Sequence, residues 1–119
     1  MSHREHRAPN REAAAELVAE MLGLPKLIGS PKQEPWALVI RDEKLQQIGQ
    51  VRTDRRATCV RLGQNPAQIA AELAEIDAAI NHLTRYTVAG WWIDRRQMSL
   101  AALLAEVGTS LRGRKNMRA

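Results

Sequence analysis

The sequence predicts a single α+β domain: an N-terminal helix, a three-stranded antiparallel meander, a long helix packed on the sheet, and a C-terminal helical region with a basic tail. Three observations predict it. Apolar residues recur at helical spacing over residues 66–83, directly after Asn65-Pro66. Three short runs of β-type residues between 36 and 62 are separated by polar, turn-like stretches. The chain has 119 residues, the usual size of one domain with one core.

The elements follow in order. Residues 1–9 are polar, contain Pro9 and lack periodicity, so they form an arm that ends at Asn10, a suitable helix cap. The Ala-rich and Glu-rich stretch that follows predicts a helix over 11–22, with Leu17, Val18, Met21 and Leu22 as its apolar stripe and Gly23 as its terminator. Pro25, Gly29, Pro31 and Pro35 predict a connecting loop. Residues 36–40 read as the first strand, 45–52 as an edge strand carrying Ile48 and Val51, and 53–56 as a hairpin turn. The third strand spans 57–62, with Arg61 pointing outward between Val60 and Leu62.

Asn65-Pro66 opens the long helix, because Asn is a preferred cap and Pro loses nothing at the first helical position. Ile69, Leu73, Ile76, Ile80 and Leu83 make its stripe, which serves either as core or as the seam of a homodimer through helix 66–83. Residues 85–94 stay open between helix and strand, since Tyr86, Thr87, Val88, Trp91, Trp92 and Ile93 favour strand but helical segments flank them. Gly90 marks a bend. Leu100, Leu103, Leu104, Val107 and Leu111 then define a last helix starting near Ser99. The domain occupies residues 10–111, and 112–119 form a basic tail.

Composition narrows the function. Leu, Ile and Val make up about a fifth of the chain and Phe is absent, so the core is thin and the three Trp residues carry much of it. No apolar run is long enough to span a membrane, and the start of the chain has no hydrophobic stretch of the secretory kind. With a lone cysteine, Cys59, these features place the protein in the cytoplasm. The formal charge is +5, and the tail, with Arg112, Arg114, Lys115 and Arg118 and no acid, accounts for four of the five. The body is nearly neutral. Arg outnumbers Lys 14 to 4, which suits planar contacts to phosphate or carboxylate and equally reflects GC-rich coding.

Chemistry-bearing constellations are few. Cys59 and His82 obey no spacing rule for a nucleophile and base, Glu72, Glu75 and Asp77 suit a solvated helix face, and His3 with His6 lies in the arm. No Gly-rich phosphate cradle occurs. The expectation is therefore a protein that is not an enzyme and that holds no metal or cofactor. The candidate nucleic-acid contacts are Arg52, Arg55 and Arg56 around the hairpin, Arg61 beside it, Arg95 and Arg96 after the Trp pair, and Arg112, Arg114, Lys115 and Arg118 in the tail. Trp91 and Trp92 point in different directions, so one of them is core and the other a candidate partner-binding anchor, because Trp and Arg concentrate binding energy at interfaces; burial of both is the alternative. The order helix, three strands, helix resembles that of double-stranded-RNA-binding domains, but residues 65–69 carry no Lys or Arg where such domains present basic groups. Residues 99–110 resemble the first helix and turn of a helix-turn-helix, without an apolar face in 111–118 for the second helix. Neither match assigns a family. Two functions follow: a nucleic-acid-binding accessory or regulatory protein using the Arg-rich hairpin and tail, or an adaptor or inhibitor of phage or mobile-element type acting through a Trp/Arg surface.

Overall fold

The computed structural model describes residues 9–107 and is helical throughout its regular elements. In chain order these are α1 (Pro9–Leu22), α2 (Gln33–Arg61), α3 (Pro66–Leu83), α4 (Ala89–Asp94) and α5 (Leu100–Glu106). Among the described residues there is no β-strand, and the extended pairing is one isolated parallel bridge between Ile28 and Val88. The α+β architecture with its three-stranded meander is thus overturned. Residues 36–40, 45–52 and 57–61, together with the expected hairpin turn at 53–56, are all parts of the single 29-residue helix α2, and Leu62 lies just past its end.

The reason lies in which residues α2 buries. Beside Val39 and Ile40, which are also buried near its start, α2 carries a run in which Ala37, Arg41, Lys44, Ile48 and Cys59 are buried and Arg55 is half-buried. Their numbers advance by three, four or seven, which is the repeat of one helix face. Three members of that face are cations. A pattern search that assigns every Arg and Lys to solvent breaks the face into short apolar pieces, which then resemble strands. Long cationic side chains bury their methylene stems while their polar ends find partners, so they can occupy such a face. The rest of the segment is rich in Leu, Gln, Arg, Lys and Ala, all good helix formers, and the supposed turn at 53–56 contains no Gly, Pro or Asn.

The ends of the helices are closed by side chains. Ahead of α2, the Gln33 backbone N–H donates to Ser30 Oγ and the Ser30 N–H donates to Gln33 Oε1, each at 3.1 Å. Ahead of α3, the Gln68 N–H donates to Asn65 Oδ1 and the Asn65 N–H donates to Gln68 Oε1, each at 2.8 Å. Both are reciprocal capping boxes with Pro directly after the cap, at Pro31 and Pro66. Ser99 caps α5 by accepting from the Ala102 N–H at 3.1 Å. At the other ends, Gly23 (φ 67°) and Gly63 (φ 75°) take the left-handed conformation. The following amides reach back, Leu24 N–H to Ala19 O at 2.9 Å and Gln64 N–H to Cys59 O at 3.1 Å. Each closes orphan carbonyls in a Schellman motif.

The described chain divides into two compact units, with α2 running from one into the other. The first comprises residues 9–44 and 84–97. Its core includes Ala15, Leu27, Ala37, Ile40, Ala89, Trp92 and Ile93. The Ile28 N–H donates to Thr87 O and the Ala89 N–H donates to Ile28 O, both at 2.7 Å, which ties the loop after α1 to the start of α4. Residues 85–94 therefore end as both structures: a bridge at Val88, then helix. The expected apolar stripe of α1 is not its buried face, since Leu17, Met21 and Leu22 are exposed and Ala15 is buried.

The second unit comprises residues 45–83 and 98–107. Its core draws Ile48 and Cys59 from α2, Leu73, Ile76, Ala79 and Leu83 from α3, and Leu103 and Leu104 from α5. Leu73, Ile76 and Leu83 of the α3 stripe are thus buried within the chain itself, where a homodimer seam would need them outside. The expected arm at 1–9, apart from Pro9, and the expected tail at 112–119 lie outside the described residues.

Candidate functional site

All three Trp residues and the single Tyr belong to the first unit. Consecutive positions on a helix point about 100° apart, so α4 parts its two tryptophans. Trp92 is fully buried, and its Nε1–H donates to Tyr86 O at 2.8 Å, which satisfies the one polar atom of the indole. It is the core member of the pair, which leaves Trp91 as the candidate anchor. Trp91 is half-buried. Its ring stacks on Tyr86 with centroids 4.0 Å apart and planes inclined by 11°, and meets Trp92 edge-on at 4.9 Å.

The two arginines after α4 complete this cluster. The Arg95 guanidinium lies 4.4 Å from the centre of the Trp91 ring, and its Nη1 donates to Trp91 O at 3.0 Å. Arg96 lies 5.2 Å from the Trp36 ring and donates to Ile93 O at 2.7 Å. Each cation is held over an aromatic face by a backbone hydrogen bond from the same fork. The result is a half-exposed surface of Tyr86, Trp91 and Arg95 whose geometry is set before any partner arrives. Phosphate contact through Arg95 or Arg96 would have to compete with these internal interactions.

The remaining candidate arginines do not form one stripe. Arg52 pairs with Asp77 of α3, with Nε at 2.7 Å from Oδ1 and Nη2 at 3.3 Å from Oδ2. That hydrogen bond, and then the Asp77 charge, hold the Arg52 pKa above its ordinary value. Arg55 is half-buried on the inner face of α2, Arg56 is exposed, and Arg61 is exposed with Nη2 donating to Thr58 Oγ1 at 3.1 Å. Nine residues of α-helix turn through 900°, so Arg61 stands about 180° around α2 from Arg52. Arg52, Arg55 and Arg56, at i, i+3 and i+4, fall within about 100° of arc on α2, so the helix sets only Arg61 apart from the expected group. Arg112, Arg114, Lys115 and Arg118 lie outside the described residues.

Cys59 is a free, buried thiol at a packing position of α2. Among the described residues no group of three or more His, Cys, Asp or Glu side chains is placed to hold a metal ion, and no helix is long and apolar enough to cross a membrane.

The sequence reasoning missed a cleft of about 590 Å³ in the first unit. Glu12, Glu16 and Glu20 of α1 and Glu34 of α2 line it with carboxylates, and Leu24, Leu27, Pro31, Pro35 and Leu38 supply apolar surface. Arg41, only 2% exposed, also lines it and donates from Nη1 to Pro25 O at 2.7 Å. Burial pushes the Arg41 pKa down, and neighbouring Asp42 acts the other way. The acidic repeat at 12, 16 and 20 was visible in the sequence; the loop that faces it was not. Comparison with known proteins returns no matching family, no similar curated protein and no similar solved structure.

Proposed function

We propose that the protein is a non-enzymatic, cytoplasmic protein-binding module, an adaptor or inhibitor, whose contact surface centres on Trp91 with Tyr86 and Arg95. The observation that carries this reading is the stack itself: a half-exposed indole held between defined neighbours, with a guanidinium fixed at 4.4 Å. Trp, Tyr and Arg are the residue types that dominate binding energy when they enter a desolvated pocket, and a pre-ordered side chain loses little entropy on binding. The buried, unpaired thiol of Cys59 suits a reducing compartment.

The nucleic-acid-binding reading stands second. It rests on the exposed Arg56 and Arg61 and on the basic composition of 112–119. Its weakness is that Arg52, Arg95 and Arg96 already have partners within the chain.

Affinity capture with the full chain, with and without nuclease, separates the two. On the protein-binding reading a partner is retained after nuclease treatment and is lost with Trp91→Ala, while far-UV circular dichroism stays unchanged. Release of all bound material by nuclease, with Trp91→Ala behaving like the parent, would move the assignment to nucleic acid.

A further inference from the structure

The cleft of the first unit has features that neither the aromatic cluster nor the fold requires. Glu12, Glu16 and Glu20 repeat at i, i+4 and i+8, so they line one flank of α1 at steps of about 6 Å over about 12 Å. Like charges at i, i+4 destabilise a helix. None of the three has a cationic partner among the described residues, although Arg11 on the same helix pairs with Glu43 instead. Glu34 adds a fourth carboxylate and accepts from the Gly29 N–H at 3.1 Å. Against them the cleft sets Lys26 and Arg41, and Arg41 is buried and turned to a carbonyl. The accessible rim is therefore acidic in a chain whose net charge is +5.

The rest of the lining is largely apolar and only partly covered, since Leu24, Pro35 and Leu38 are half-buried. An occupant must satisfy both features. A polyanion is repelled by the rim, and a plain polycation leaves the leucines and prolines wet. An extended peptide repeats same-side side chains every 6.6–6.8 Å or so, close to the spacing of the carboxylates, and sends the alternate side chains the other way. We propose that this cleft is the docking groove for an extended segment of a partner protein in which basic and apolar residues alternate. The basic side chains face Glu12, Glu16 and Glu20, and the apolar ones cover Leu24, Pro35 and Leu38. The proposal stands on the groove and its charge, independently of the Trp91 surface.

The test uses the full chain and a labelled peptide with the core Arg-Leu-Arg-Leu-Arg, followed by fluorescence anisotropy. The comparison variant is Glu12→Gln/Glu16→Gln/Glu20→Gln. Gln keeps the shape and helix propensity of Glu and removes the repulsion, so the variant keeps its fold, which circular dichroism checks. The dissociation constant is expected to rise about tenfold in the triple variant, as three solvent-screened ion pairs allow, and its salt dependence to flatten. A peptide with Ser in place of Leu should bind more weakly to the parent, and one with Glu in place of Arg should not bind. Equal affinity for parent and triple variant overturns the proposal. So does displacement of the peptide by spermine at matching concentration, which makes a small polycation the occupant. A dimer that the triple variant abolishes also overturns it, because the groove then belongs to a second copy.

Discussion

Replacing Gly49 with Ala should stabilise the protein by about 0.8–1 kcal/mol, the advantage of Ala over Gly in a helix interior. Gly49 lies well inside α2, and a Cβ built there meets nothing within 4 Å, so the substitution brings neither a clash nor a new contact. The gain comes from the unfolded chain, which loses less conformational freedom on folding with Ala than with Gly. In a domain near this size that corresponds to a rise of roughly 4 °C in Tm. Urea unfolding followed by far-UV circular dichroism measures it, with the denaturant slope unchanged. Gly63→Ala supplies the control, because the same chemical change occurs at φ 75° with equally open surroundings. There the left-handed conformation costs an alanine about 1–2 kcal/mol, so the expected sign reverses to a net loss. Since both substitutions change the unfolded chain alike, the opposite signs isolate the backbone conformation. A loss of stability in Gly49→Ala would refute the regular helical conformation at residue 49.

Thr53→Pro should cost about 3 kcal/mol or more, because residue 53 is an exposed interior position of α2 and not part of a turn; near-parental stability in thermal unfolding would place a break there. Gly29→Ala should destabilise by about 1–3 kcal/mol, since its Cβ would stand 2.7 Å from Ala89 Cβ where the loop meets α4. A Tm equal to the parent's would mean that this contact is looser than the structure has it. Arg52→Ala should cost less than about 1 kcal/mol, and less still at high salt, because its pair with Asp77 is about 40–47% exposed and solvent-screened. A larger loss that ignores salt would assign Arg52 a packing role.

The short-range signals written in the sequence were sound where a capping residue marked a helix end. Asn65-Pro66 starts α3, Ser99 starts α5 and Gly23 ends α1, because a cap is decided by residues within one turn of each other. The same box occurs at Ser30-Pro-Lys-Gln33, where the surrounding prolines conceal it as a loop; compared with Asn65-Pro-Ala-Gln68, it marks the start of the longest helix. What no local pattern could decide was the fate of the cations. Arg41 and Lys44 are buried and Arg55 is half-buried because the first reaches the Pro25 carbonyl and all three keep the repeat of one helix face. Whether an arginine stem is surface or core depends on what stands opposite it, a question of distant residues. For the same reason Arg61 stands on the far side of α2 from Arg52, the two tryptophans divide into core and surface, and the carboxylates of α1 face a cleft. The sequence by itself determined the end of α1 and the starts of α3 and α5; the tertiary structure decided that 33–61 is one helix and which face of each helix is buried, because burial of a charged side chain is favourable only when another part of the chain covers its stem and satisfies its polar end.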